Sequence, residues 1–223
     1  MPRALPNRQR SGTSLIEMMV LIAIVGVLAA TSGFAMRSWQ DAQRIQMTSR
    51  SIADLVHLGR GEAIRTGVAH LIFFGSDAAA ADLLTPSGDA AAAVLIRDAD
   101  SDGIIDAGEY VNSVAADDSD TLSWGVATAT TPVPTDPTPD HGQPPPAAWT
   151  FEQPNGSAAH WVALFPDGTP RSFQVAPFAA DPLGSGAGAV YLTDGRRDYA
   201  VVVASLGGVR VHGWDAANGA WRN

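Results

Sequence analysis

The sequence predicts an α+β fold: a long N-terminal helix, transmembrane at first and amphipathic later, packed on a small antiparallel β-sheet domain. Three observations predict it. Residues 18–36 carry no charge, residues 13–67 contain no proline while small and apolar residues recur at helical spacing, and residues 198–204 and 208–212 alternate beside turns at "DGRR" and "LGG".

The first twelve residues, "MPRALPNRQRSG", hold Arg3, Arg8 and Arg10 and no acid. They read as a leader, 1–12. The charge-free run that follows would be roughly 28 Å long as a helix, close to the hydrocarbon thickness of a bilayer. Arginines before the run and none within it give a cytoplasmic N-terminus by the positive-inside rule, with everything after residue 36 exported. The expectation is one span at about 15–36, in an inner membrane, with a periplasmic C-terminal domain.

Helical spacing continues beyond the run. In "QDAQRIQMTSRSIADLVHLGRGEAIRTG", Ile45, Ile52, Val56, Gly59 and Ala63 form one small-apolar stripe, with Arg44, Arg50, Asp54 and Arg65 largely elsewhere. Gly67 is placed to cap the C-terminus. The helix is therefore expected over 13–67, and the β domain over 68–223, with an insertion at about 76–147. Within that insertion "AAVLI" and "YVNSV" read as strands, and seven prolines between 132 and 146 give an extended or disordered end.

Composition narrows the function. The chain is 46% hydrophobic and 17% charged, carries a formal charge of −9, and all of its bases are arginine. It has no cysteine, hence no disulfide framework, thiolate metal site or cysteine nucleophile. The acidic balance argues against a nucleic-acid partner, which needs a clustered cationic face. The available cluster is Arg196 and Arg197 with Arg210 and Arg222 in the same tail. His57, His70, His141, His160 and His212 show no metal spacing, and neither a nucleophile elbow nor a phosphate loop is present, so no enzyme is expected.

Glu17 is the anomaly, a carboxylate at the start of "TSLIEMMVLIAIVGVLAA". A charge among apolar residues is costly and usually functional. In a secretory signal peptide such a carboxylate is unusual, a plain anchor leaves it unexplained, and the charge-free length with flanking arginines argues against a buried core helix. Gly12 followed by this run resembles the class III signal of type IV pilins and type II secretion pseudopilins. The resemblance implies that prepilin peptidase cuts between Gly12 and Thr13, that the amine of Thr13 is methylated, and that Glu17 becomes the fifth mature residue. Thr13 departs from the phenylalanine usual there. Pairing of Glu17 with the terminal amine of a neighbouring subunit would offset two buried charges and set an axial register for assembly.

The exported half extends the resemblance to the GspH/FimT family. "LGRGEAIRTG" resembles that family's helix end, and "ALFPDGTPRS" with "GAVYLTDGRRDYAVVVASLGGVRVHGW" resembles its final strands. The implied fold is the pilin lollipop. The implied role is structural, as a minor pseudopilin or pilin that assembles with other pilins on an inner-membrane platform and serves type II secretion or a type IV pilus. Two alternatives are a DNA-binding minor pilin of a competence system and a membrane-anchored calcium-binding domain.

Metal chemistry is concentrated in "RDADSDGIIDAGEY". Asp98, Asp100, Asp102, Asp106 and Glu109 fill ligand positions 1, 3, 5, 9 and 12 of an EF-hand calcium loop, with Gly103 at the kink and the Ile104 carbonyl at position 7. Flanking strands in place of helices predict a calcium-stapled hairpin. Calcium is the one expected cofactor.

Overall fold

The computed structural model describes residues 14–75, 83–85, 87–100, 108–116, 122–137, 148–175 and 178–223; the side chains at 31–35, 37–38 and 174–183 also lie outside the description. Helix α1 spans Leu15–Thr66, 52 residues. The described residues fall into two compact units that divide between Gln40 and Asp41.

In the first unit the helix begins just after Ser14, whose carbonyl accepts the Glu17 and Met18 amides at 3.0 and 3.2 Å. In the second unit one helix face is buried: Ile45, Ser49, Ile52, Val56 and Ala63 are each 0% exposed. The Ser49 hydroxyl turns back to the Ile45 carbonyl at 2.7 Å, which satisfies the one polar group on that face. Gly67 ends the helix with φ of 70° and donates its amide to the Ala63 carbonyl at 3.0 Å.

Among the described residues eleven strands follow: β1 His70–Phe74, β2 Ala91–Arg97, β3 Tyr110–Ala115, β4 Ser123–Trp124, β5 Trp161–Leu164, β6 Pro170–Val175, β7 Phe178–Gly184, β8 Gly188–Thr193, β9 Asp198–Val203, β10 Val209–Asp215 and β11 Ala220–Arg222. They make two antiparallel sheets, one of order β3-β2-β1-β5-β6-β7 and one of order β11-β10-β9-β8-β4. One core joins them. The helix stripe packs in a single cluster with Leu71, Leu95 and Leu164 of the first sheet and Val190, Leu192, Val201 and Val203 of the second.

Two sequence expectations are overturned. Among the described residues no helix is long and apolar enough to cross a membrane. Glu17 stands in the first turn of α1, a charge that hydrocarbon disfavours. The transmembrane helix at about 15–36 and the single-pass inner-membrane placement with a periplasmic domain therefore do not stand. The expected small single β-sheet fails as well, because the strands divide between two sheets. A membrane helix carrying one sheet gives way to an α+β arrangement with two antiparallel sheets.

Helix and first sheet meet closely at Gly59, where an added Cβ would lie 2.8 Å from Cδ1 of both Leu95 and Leu164. Gly59→Leu would force extra methylenes into this contact, and overpacking costs about 1–3 kcal/mol. A fall of that size is the expected result of urea unfolding. An unchanged midpoint would mean that the helix simply rides outward.

Candidate metal centre

The connection from β2 to β3 is residues 98–109. Its base is closed by the Arg97 amide on the Glu109 carbonyl at 2.7 Å and by Ile96 paired with Tyr110. The Asp98 amide reaches across to the Ala69 carbonyl at 3.0 Å, so the loop is tied to the segment entering β1. Gly108 takes φ of 102° just before Glu109, a conformation that favours glycine.

This base brings three of the predicted ligands together. Carboxylate oxygens of Asp98, Asp100 and Glu109 all lie within 4.8 Å of one another. Two oxygens each about 2.4 Å from one calcium ion can be at most about 4.8 Å apart, so the spacing suits a shared ion. Asp98 is 4% exposed, Asp100 is exposed and Glu109 half-buried. Glu109 accepts the Ala99 amide on Oε1 at 2.7 Å. Its Oε2 is shielded from solvent and has no hydrogen-bond partner among the described residues, which suits that oxygen to a cation. Asp102, Ile104 and Asp106 lie outside the described residues, as do Gly12 and Thr13.

Glu17 is exposed in the first turn of α1. Ser14 precedes it by three residues, the spacing of a capping box in which a glutamate at this position serves the helix start. The negative charge also complements the positive end of the helix dipole. This local role is legible in "SLIE" and is additional to any intermolecular one.

The remaining candidates are dispersed. His57 is exposed, His70 and His212 are buried in different sheets, and the His160 ring lies 6.4 Å from Phe73 and 6.2 Å from Trp149. Arg197 pairs with Asp194 at 3.5 Å and Arg222 with Asp215 at 2.5 Å, so half of the tail's arginines are already matched by acids. Among the described residues, the carboxylates of loop 98–109 are the one cluster that could hold a metal ion.

No family model matches this chain, and no curated protein or solved structure matches it.

Proposed function

We propose that this chain is a structural subunit of a pilin-like filament, matured by removal of its leader between Gly12 and Thr13, with a calcium ion stapling loop 98–109. The observation that carries the filament role is the exposure of the helix start. Every large apolar side chain from Leu15 to Leu28 is at least 51% exposed, on all sides of the helix. Apolar surface of this extent marks an interaction site. The helices of other copies supply an apolar surface of the same length, and Glu17 meeting the Thr13 amine of the next copy fixes the stagger. The calcium role rests on the three converging carboxylates and the shielded Glu109 Oε2. Support for the family is the leader, Gly12 and Glu17 pattern of the sequence.

The test separates the two roles of Glu17. In cells making the filament, Gly12→Ala is expected to leave the arginine-bearing leader attached, read by mass spectrometry of the intact chain. Glu17→Gln keeps the capping pattern but removes the charge, since Glu and Gln both serve a capping box. It is expected to be processed normally and to enter sheared filaments about tenfold less than wild type, a deficit of about 1.4 kcal/mol in subunit association. Equal incorporation would reduce Glu17 to a helix cap. A mature terminus well inside 15–36 would defeat the whole reading.

A further inference from the structure

After β4 the chain does not leave the domain. Residues 125–137 cross the outer face of the five-stranded sheet, where Val133 is 2% exposed and packs with Ala189, Tyr191, Ala200 and Val202. The near end is pinned by Asp198, whose carboxylate accepts the amides of Ala127, Thr128 and Ala129 at 2.9, 2.7 and 2.5 Å and the Thr128 hydroxyl at 2.7 Å. The far end is pinned by different chemistry. Trp221 Nε1 donates to the Thr131 carbonyl at 2.8 Å, and the Val133 amide donates to the Tyr191 hydroxyl at 3.2 Å. That hydroxyl in turn donates to Asp136 at 3.1 Å, while Thr135 Oγ1 lies 2.9 Å from His212 Nε2. His212, Ala200 and Tyr191 are register partners across β10, β9 and β8, so Thr135 and Asp136 grip a single row of the sheet.

We infer that residues 131–137 form an acid-released flap over this sheet face, with His212 as its latch and Asp198 as its hinge. His212 is 4% exposed. Burial, and secondarily the Arg210 charge on its own strand, hold it below the ordinary histidine range. From the strap it faces Thr135 and the neighbouring Asp136, whose oxygens are engaged by the Tyr191 and Thr150 hydroxyls. Ala200 on β9 brings no charge. Tyr191 on β8 keeps its proton, because burial and the Asp136 charge both push its hydroxyl up. On β11, Arg222 is opposite Gly213 with its guanidinium on Asp215. A proton added to His212 therefore makes a buried cation that already feels the like charge of Arg210.

The sign follows. The histidine pKa is lower with the flap closed than with it open, so closure is fully favoured above about pH 6.5 and weakens as pH falls through 6.5 toward the depressed value. If the closed form stays unprotonated, the open form gains up to about thirtyfold at pH 5.0. The hinge does not respond in this window. Burial alone would raise Asp198, but hydrogen bonds from Thr193, Ala127 and Thr128 outweigh it and hold the carboxyl below its usual range.

The experiment is hydrogen exchange on the full chain at pH 7.5 and 5.0, corrected for intrinsic exchange rates. Protection of the Val133 amide is expected to fall by tenfold to thirtyfold at pH 5.0 relative to that of Ala129, which Asp198 holds. His70, also buried and held low, acts on both amides through global stability, so the ratio cancels it. In His212→Gln, which can still hydrogen-bond Thr135 but cannot titrate, the ratio is expected to be the same at both pH values. Thr135→Val should lower it at both. A ratio that does not change with pH in the wild type, or a pH-dependent fall that persists in His212→Gln, overturns the latch.

Discussion

Replacing Asp198 with alanine is expected to destabilise the domain by about 3–5 kcal/mol, one of the two largest effects anticipated for this chain. The carboxylate is 0% exposed, and its removal strands three backbone amides and a threonine hydroxyl at once. A buried donor left without a partner costs about 1–3 kcal/mol. Water entering the vacated space would recover some of that, which is why the expected loss is less than a full sum. Asp198→Asn retains one acceptor oxygen and should recover about half. Because Asp198 is held below the usual range, its contribution is present above the unfolded value of about 3.9 and is lost only as pH falls further, through the folded value. The wild-type advantage over the alanine variant should thus be constant between pH 5 and 8, as measured by urea unfolding at several pH values. A loss under 1 kcal/mol would mean that the strap satisfies its amides some other way.

That carboxylate was beyond the reach of sequence reading, and the reason is physical. Asp198 stands some seventy residues from the amides it holds, and only the folded topology makes them neighbours. The prolines at 132, 134 and 137 read as an extended or disordered end, yet they lie in a strap packed on the sheet. Proline fixes backbone dihedrals without saying whether the extended chain is solvated or laid on a surface. Local patterns fared differently. The stripe of Ile45, Ile52, Val56, Gly59 and Ala63 marks the buried face, because helical spacing alone decides which side chains share a side. The "DGRR" and "LGG" turns bound β9, because alternation and glycine are local signals. The charge-free run misled for a related reason. Hydropathy says that such side chains need covering, and does not say by what. The carboxylate spacing of 98–109 was legible because it is written in consecutive residues, and the base of the loop brings Asp98, Asp100 and Glu109 within 4.8 Å of one another.

Calcium is expected to raise the melting temperature of the purified chain by about 5–10 °C at a hundredfold excess over the dissociation constant. Binding to the folded state alone stabilises by RT ln(1 + [L]/Kd), about 2.7 kcal/mol at that excess, and a domain of this size shifts by about 2–4 °C per kcal/mol. The loop places five carboxylates within twelve residues, and three of them already converge. Without a cation, like charges at that separation oppose one another. The shielded Oε2 of Glu109, which has no hydrogen-bond partner among the described residues, adds the cost of a buried acceptor with nothing to accept. A calcium ion relieves both at once. Magnesium demands near-octahedral geometry at shorter distances and gives up its water reluctantly, so it should produce a much smaller rise. Glu109→Gln and Asp98→Asn preserve shape while removing one charge each, and both should abolish most of the calcium response. Their stability without calcium should match or exceed that of the wild type, since the carboxylate repulsion is reduced. The comparison is thermal unfolding of the three proteins in chelator, calcium and magnesium. A wild-type melting temperature that does not move with calcium would leave 98–109 as an acidic turn whose carboxylates meet only because the hairpin brings them together.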